Sequence, residues 1–273
     1  MAYIRLTHNS ESMGAVDVSI FFPTPGQLPA PPDPRNATHK RFLQAWKDYD
    51  KEKKLPVLWL LHGGGGSFAS WALESMDFKR CLDKGLVVVM PTYVNPFWKI
   101  QGMDFRKYLA EELPQYIRYL LPVSDKREDN FIAGLSYGGY FSYQTALNNP
   151  DNYACVGSFS SPLNVRHDVE IYHNNLPDYP TPEQIDGSSW DVLALASRLK
   201  AEGRQIPKMF QCCGTEDFTW DFNVEARDHF RALGLDHTWM EWPGVHNFDF
   251  WDVALRKYLD WLPIEANRVK EGE

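Results

Sequence analysis

The sequence predicts an α/β protein with a mainly parallel central sheet that helices cover on both faces. Residues 57–61 and 86–90 are continuous apolar runs, which are typical of strands buried on both faces. Short apolar runs alternate with segments of helical spacing along the rest of the chain, and this alternation indicates a parallel sheet. The 273 residues fit a single domain, residues 1–273, large enough to bury a core without disulfides or metals.

Eight strands and four helices are expected in chain order. Val16, Val18 and Ile20 alternate as in a half-buried strand, so residues 3–7 and 16–22 are predicted as two strands joined by a turn. The other strands are predicted at residues 57–61, 86–90, 130–133, 155–160, 209–213 and 238–241, and the helices at 105–121, 140–148, 223–233 and 250–262. Pro114 lies inside the first helix and should bend it or mark its true start.

Two segments do not fit this alternation. Residues 23–54 begin with a proline-rich stretch and continue into a charged segment, which we interpret as an excursion on the surface. Residues 164–189 are polar, rich in proline and tyrosine, and longer than an ordinary connection. We expect this insertion to lie over the carboxyl edge of the sheet, where α/β proteins keep their functional sites.

Composition limits the classes of partner. The net charge of −8 and the pI near 5.5 argue against nucleic acid or an anionic membrane surface. The N-terminus is too polar for a signal peptide and no apolar run approaches ~20 residues, so we expect a cytoplasmic protein with no membrane partner. The cysteines match no zinc or redox spacing, and we expect reduced, buried thiols and no cofactor: Cys81, Cys155, Cys212 and Cys213.

Residues 134–139 read Gly-Leu-Ser-Tyr-Gly-Gly and lie between a predicted strand and a predicted helix. In this context a G-x-S-x-G sequence exposes a nucleophilic serine on a sharp turn. The glycines around Ser136 avoid collisions with the neighbouring strand and helix. The backbone N–H of Tyr137 then lies at a helix N-terminus, where it can bind a developing oxyanion. The alternative is a glycine-rich turn with an incidental serine.

A serine nucleophile needs a base, and after such a turn an acid and then a histidine follow along the chain. His246 is the best placed histidine, because it lies in a loop between the last strand and the last helix. Asp217 follows the strand at residues 209–213 and would orient the histidine and stabilise its charged form. Glu216 and Asp221 are the alternative acids. The other downstream histidines are less well placed: His167, His173, His229 and His237.

A run of four glycines follows His62 at the end of a predicted strand. Glycines allow a backbone amide to approach a substrate oxygen closely, so we expect the second oxyanion donor from Gly64, with Gly65 as the next choice. We interpret His62 as a structural residue that holds this loop. A phosphate site would need the Lys-Ser/Thr pair of a P-loop, which is missing. A polar loop, and no metal site, explains another cluster: His167, Asp168, Glu170 and His173.

These motifs together resemble a known family. The glycine loop with Trp71, the Tyr-Leu-Ala-Glu-Glu-Leu-Pro segment at 108–114 and the Cys-Gly-Thr-Glu-Asp-Phe loop at 213–218 look like the Putative esterase family, over about residues 57–262. That family holds tributyrin, acetyl and feruloyl esterases, S-formylglutathione hydrolases and mycolyltransferases, and the chain is most similar to the acetyl and feruloyl types. The resemblance implies the α/β-hydrolase fold, a triad of Ser136, Asp217 and His246, and an oxyanion hole of Gly64 and Tyr137.

We therefore expect a serine carboxylesterase that cleaves acetyl or feruloyl esters, including those on plant carbohydrate. Its partner would be a small-molecule or oligosaccharide ester, and formation of a homo-oligomer is left open. The alternatives are an S-formylglutathione hydrolase-type thioesterase and, in another class, a non-catalytic carbohydrate-binding domain. Aromatic residues in loops at the site edge are candidates for substrate binding, although each could instead anchor its loop: Phe97, Trp98, Tyr172, Tyr179, Trp220 and Phe222.

Overall fold

The structure is a computed structural model that describes residues 1–24, 52–93, 103–172 and 180–264. The predicted surface excursion at residues 23–54 lies almost wholly outside these ranges. Among the candidate substrate-binding residues, Phe97, Trp98 and Tyr179 also lie outside the described residues.

An eight-stranded sheet forms the centre of the molecule. The strands lie in the order β1-β2-β4-β3-β5-β6-β7-β8. The pairs β1–β2 and β2–β4 are antiparallel and all other pairs are parallel, so the predicted mainly parallel sheet is confirmed. The strands are β1 (Ala2–Ser10), β2 (Gly14–Phe22), β3 (Val57–Leu61), β4 (Val87–Pro91), β5 (Asn130–Leu135), β6 (Cys155–Phe159), β7 (Lys208–Gly214) and β8 (His237–Trp242).

Helices cover both faces of this sheet. They are α1 (Ser70–Glu74), α2 (Phe78–Asp83), α3 (Phe105–Lys107), α4 (Leu113–Leu120), α5 (Tyr137–Asn148), α6 (Val165–Tyr172), α7 (Pro182–Ile185), α8 (Val192–Ala201), α9 (Trp220–Ala232) and α10 (Phe248–Trp261). Within the described residues, no helix combines the length and the apolar composition that a membrane span requires. The four cysteines are buried free thiols, as expected.

Successive residues of the central strands face two separate apolar layers. In β3, Trp59 and Leu61 pack in a layer with residues of α4, α5, α8 and α9. Leu58 and Leu60 pack in the opposite layer with residues of α1, α2 and α10. Because side chains alternate along a strand, a run that is apolar at every position must be buried on both faces, which explains the uninterrupted sequence of this strand.

The helix predicted at residues 105–121 consists of three pieces. A π-helical segment, Tyr108–Glu112, separates α3 from α4, and Pro114 lies in the first turn of α4. The pieces are continuous, because Leu113 N donates to the carbonyl of Tyr108, and Pro114, which has no N–H to donate, comes directly after this π-helical turn. The helix begins at Phe105, so the prediction that Pro114 marks its true start is wrong, and the predicted bend stays a prediction.

Candidate active site

Ser136 occupies the turn between β5 and α5. Its backbone has φ +52° and ψ −131°, a region that non-glycine residues rarely adopt and that functional sites often contain. A Cβ atom on Gly134 would overlap the backbone of Gly138, and one on Gly138 would overlap the carbonyl oxygen of His62. Glycine at both positions is therefore what allows β3, β5 and α5 to meet this closely around the serine.

Ser136, His246 and Asp217 form a continuous hydrogen-bonded line. His246 Nε2 lies 3.0 Å from Ser136 Oγ, and His246 Nδ1 lies 2.9 Å from each oxygen of the Asp217 carboxylate. An ionised carboxylate only accepts hydrogen bonds, so Nδ1 carries the proton and Nε2 is left to accept from the serine hydroxyl. The three predicted triad residues are thus brought together, 110 and 29 residues apart along the chain.

The acid is buried and hydrogen-bonded. The Asp217 side chain is fully inaccessible, whereas that of His246 is 17% exposed. Burial by itself would raise the pKa of the Asp217 carboxyl, but hydrogen bonds from His246 and Thr219 outweigh burial and hold the pKa below its usual value. The carboxylate therefore stays charged beside the imidazole.

The loops that carry the acid and the histidine are tied to each other. Glu216 N donates to the carbonyl of Gly244, and Gly244 N donates to the Glu216 carboxylate at 2.5 Å. Asn247 caps α10 by accepting from Phe250 N, which ends the histidine loop directly after His246. Glu216, one of the alternative acids, is thus a link between the loops.

Three of the other downstream histidines have partners away from Ser136, and His173 lies outside the described residues. His167 bonds Glu225, His229 bonds Ser197, and His237 bonds Gln211. In the described part of the chain, no three His, Cys, Asp or Glu side chains are grouped as a metal site would need.

The glycine loop lies against the serine turn. A Cβ on Gly64 would lie 3.3 Å from the Tyr137 ring, so the two candidate oxyanion donors belong to adjoining segments. Tyr137 is the first residue of α5, where helical N–H groups lack intrahelical acceptors and favour negative charge. The Tyr137 hydroxyl donates to Asp168 at 2.7 Å and so connects the turn to α6 of the insertion.

His62 is fully engaged in holding the glycine loop. Its Nδ1 lies 2.6 Å from the Gly63 carbonyl, Tyr93 N donates to its Nε2, and its ring stacks on the Tyr93 ring at 4.0 Å. Burial lowers the pKa of His62 to about 4. It is therefore neutral at pH 7, which fits the structural interpretation.

Aromatic residues around the site divide into exposed and packed ones. Phe218 was not identified from the sequence, yet it is 67% exposed and its ring lies 4.4 Å from that of His246. Phe222 is 5% exposed and packs against His167, so its ring is an anchor of α9. Trp220 is half-buried against Trp239, and its role in substrate binding stays a prediction.

The strand order and the serine turn define the class of protein, an enzyme of the α/β-hydrolase fold. Two solved structures agree: an S-formylglutathione hydrolase of Staphylococcus aureus (TM-score 0.78, 24% identity, 96% of this chain and 98% of that one) and a ferulic acid esterase (TM-score 0.72, 22% identity, 96% of each chain). At these identities the likeness concerns the fold.

Sequence comparison identifies the family. The Putative esterase family matches residues 38–262. An acetyl esterase of Caldicellulosiruptor saccharolyticus is 28% identical over 229 residues, which cover 79% of this chain and 86% of that protein. The chain belongs to the Putative esterase family, and it is a serine hydrolase of carboxylic esters.

Proposed function

We propose that this enzyme hydrolyses esters of short acyl groups, acetyl above all, through an acyl-enzyme formed on Ser136. The observation that carries the proposal is the line of hydrogen bonds from Asp217 through His246 to the Ser136 hydroxyl. The acetyl preference is supported by the acetyl esterase relative, which matches over most of both chains.

In the first half of the reaction Ser136 Oγ attacks the ester carbonyl while its proton moves to His246 Nε2. The N–H groups of Gly64 and Tyr137 would bind the oxyanion of the tetrahedral intermediate. When the carbon–oxygen bond breaks, His246 gives its proton to the departing alcohol. Water then attacks the acyl-enzyme with His246 again as base, which releases the carboxylic acid and restores the serine.

Aromatic acyl groups such as feruloyl are the next candidates, because a ferulic acid esterase shares the fold. A thioesterase acting on S-formylglutathione is the alternative, supported by the fold of the S. aureus enzyme. A non-catalytic binding domain is disfavoured, because such a domain has no need of a buried, ionised acid aligned with a histidine and a strained serine.

We also propose that residues 1–273 form one domain, with the insertion at residues 164–189 beside the active site. The hydrogen bond between Tyr137 and Asp168 supports this, because it joins α6 of the insertion to the serine turn.

A substrate panel tests the function. We would measure kcat/KM on 4-nitrophenyl esters from acetate to octanoate, on methyl ferulate and on S-formylglutathione, with Ser136→Ala as the control. The highest value is expected for acetate, together with a mass increase of one acetyl group on rapidly quenched enzyme. A value for S-formylglutathione above all oxygen esters would instead identify a thioesterase, and the absence of any serine-dependent turnover would reject the proposal.

A further inference from the structure

Three buried polar side chains are hydrogen-bonded in series to the Asp217 carboxylate, and we call them the polar chain. Thr219 is 2% exposed, and Asn223 on α9 and Gln211 on β7 are fully buried. Buried polar groups cost free energy unless they are hydrogen-bonded. These three side chains lie where β7 meets α9, so each of them must find its hydrogen-bond partners within the protein.

In the polar chain, each side chain donates to the next one in the direction of Asp217. Gln211 Nε2 donates to the Asn223 carbonyl at 2.9 Å, which fixes the orientation of the amide and leaves Gln211 Oε1 to accept from His237 Nε2 at 2.9 Å. In the same way Asn223 Nδ2 donates to the Thr219 carbonyl at 2.8 Å, which fixes the second amide. Each of these assignments follows from a backbone carbonyl, which can only accept.

The remaining contacts complete the chain. With their amides fixed, Gln211 Nε2 also donates to Asn223 Oδ1 at 3.1 Å, and Asn223 Nδ2 to Thr219 Oγ1 at 3.2 Å. The threonine hydroxyl then has its own proton left for Asp217 Oδ1, at 2.8 Å. Donors aligned in one direction polarise each other, so the last hydroxyl becomes a stronger donor to the carboxylate.

The Thr219 side chain does not cap α9, although Thr219 occupies the N-cap position. It occupies the N-cap position of α9, where threonine side chains usually accept from the backbone of the first helical turn, but its hydroxyl makes no such bond. Instead both its backbone N–H and its hydroxyl donate to the same oxygen of Asp217, each at 2.8 Å. That oxygen also lies 2.9 Å from His246 Nδ1.

We propose that Thr219 is a positioning residue: its hydroxyl, oriented by Asn223 and Gln211, holds the Asp217 carboxylate in the plane and charge state that keep His246 aligned with Ser136. This inference rests on the proposed catalytic role of Asp217. Thr219 does not touch the reacting atoms, so removing its hydroxyl affects turnover and leaves substrate binding unchanged.

Three single variants isolate the hydroxyl. Thr219→Ser keeps it, Thr219→Val removes it at nearly constant volume, and Thr219→Ala differs from the serine variant by one oxygen atom. Using 4-nitrophenyl acetate, we expect kcat to fall about tenfold to a hundredfold in the Val and Ala variants, the size of a lost hydrogen bond to a charged group. KM should stay within about twofold, and the Ser variant should stay close to wild type. The Ala variant supplies the answer if the Val variant does not fold.

A double-mutant cycle with Asp217→Asn decides whether Thr219 acts through the acid. Asp217→Asn alone should lower kcat by about 10⁴-fold, and adding Thr219→Ala should then change kcat by less than about twofold. Equal losses from Thr219→Ala in both backgrounds, or equal losses in the Ser and Ala variants, would overturn the inference. If Asp217→Asn itself kept more than a tenth of the activity, the proposed triad would fail instead, so the two failures are distinguishable.

Discussion

The ring of Phe218 lies 4.4 Å from the ring of His246, and two-thirds of the Phe218 side chain is exposed to solvent. Phe218 directly follows Asp217 in the sequence. Trp251 contacts the same imidazole edge-on at 4.8 Å, but it is buried. A large ring that is exposed next to the proposed catalytic histidine can contact a bound substrate. Since His246 would protonate the departing alcohol, we expect Phe218 to border the alcohol side of the site.

Replacing Phe218 by alanine should therefore affect esters of aromatic alcohols selectively. We expect KM for 2-naphthyl acetate to rise about tenfold, equivalent to about 1.4 kcal/mol of lost contact, while KM for ethyl acetate changes little. Steady-state kinetics on both esters check this. Tyr119→Ala is the control, because Tyr119 is 85% exposed on α4 and should affect neither ester. Equal losses on both esters would show that Phe218 supports His246 and does not contact the alcohol.

Replacing Ser136 by alanine should abolish turnover while the protein stays folded. Removing the nucleophile of a serine hydrolase lowers kcat on the order of 10⁶-fold. Single-turnover kinetics measure the loss, and thermal melting confirms the fold. Ser197→Ala on α8 is the matched control, since the Ser197 hydroxyl bonds His229 and has no contact with the triad histidine. Retention of a tenth of the activity by the Ser136 variant would contradict its role as nucleophile.

The stability of the fold should fall between pH 7 and pH 5 because of buried histidines. Burial lowers the pKa of His62 to about 4, whereas an unfolded histidine titrates near 6.5. Between these values the unfolded state binds a proton that the folded state does not, so the free energy of unfolding decreases as the pH falls. His62 alone should remove about 2 kcal/mol between pH 7 and pH 5.

Urea unfolding of wild type and His62→Gln at the two pH values checks this. The variant starts from a lower stability because it loses contacts with the glycine loop, but its dependence on pH should be weaker by that amount. Ser70→Ala is the control: it also removes a hydrogen bond of the glycine loop, donated by Ser67 N, but serine does not titrate in this range, so the variant should keep the wild-type slope. An identical slope in the His62 variant would mean that His62 binds its proton equally in the folded and unfolded states, so that burial does not lower its pKa.

Gly138 should tolerate no side chain. An added Cβ would overlap the carbonyl of His62, so Gly138→Ala must push the glycine loop away from the serine turn. We expect a cost of about 3 kcal/mol in unfolding free energy, together with a loss of activity. Gly187→Ala is the comparison: it has φ +67° and open space around it, so it should cost only about 1 kcal/mol and leave activity intact. A Gly138 variant as stable as the Gly187 variant would show that the two loops separate easily.

The sheet was readable from the sequence because its central strands are buried on both faces. The strand at residues 57–61 agrees with β3 in both bounds, whereas β1, at the edge, extends three residues beyond the predicted end. Helix α8 was missed, although its buried residues recur at helical spacing: Val192, Leu195, Ala196 and Leu199. The π-helical segment could not be predicted from residue spacing. Its Glu112 accepts hydrogen bonds from Ser10 and Ser12, which lie about 100 residues earlier in the hairpin of β1 and β2.

The triad residues could be predicted from the sequence for a different reason. Glycines around Ser136 and a loop position after the last strand are local features, and strand order brings them to one edge. Phe218 and Thr219 directly follow Asp217 in the sequence, but the roles proposed for them depend on where their side chains turn in three dimensions. No pattern along the chain distinguishes the exposed ring from the buried hydroxyl.

The distance of 110 residues between Ser136 and His246 has a consequence for how the protein refolds. No fragment that ends before β8 contains all three side chains, and the pairs β5–β6, β6–β7 and β7–β8 must all be in register before they meet. Long-range parallel pairings of this kind form slowly, whereas helices form within microseconds. After dilution from denaturant, esterase activity should therefore return later than the far-ultraviolet circular dichroism signal, which makes turnover a direct measure of the last steps of folding.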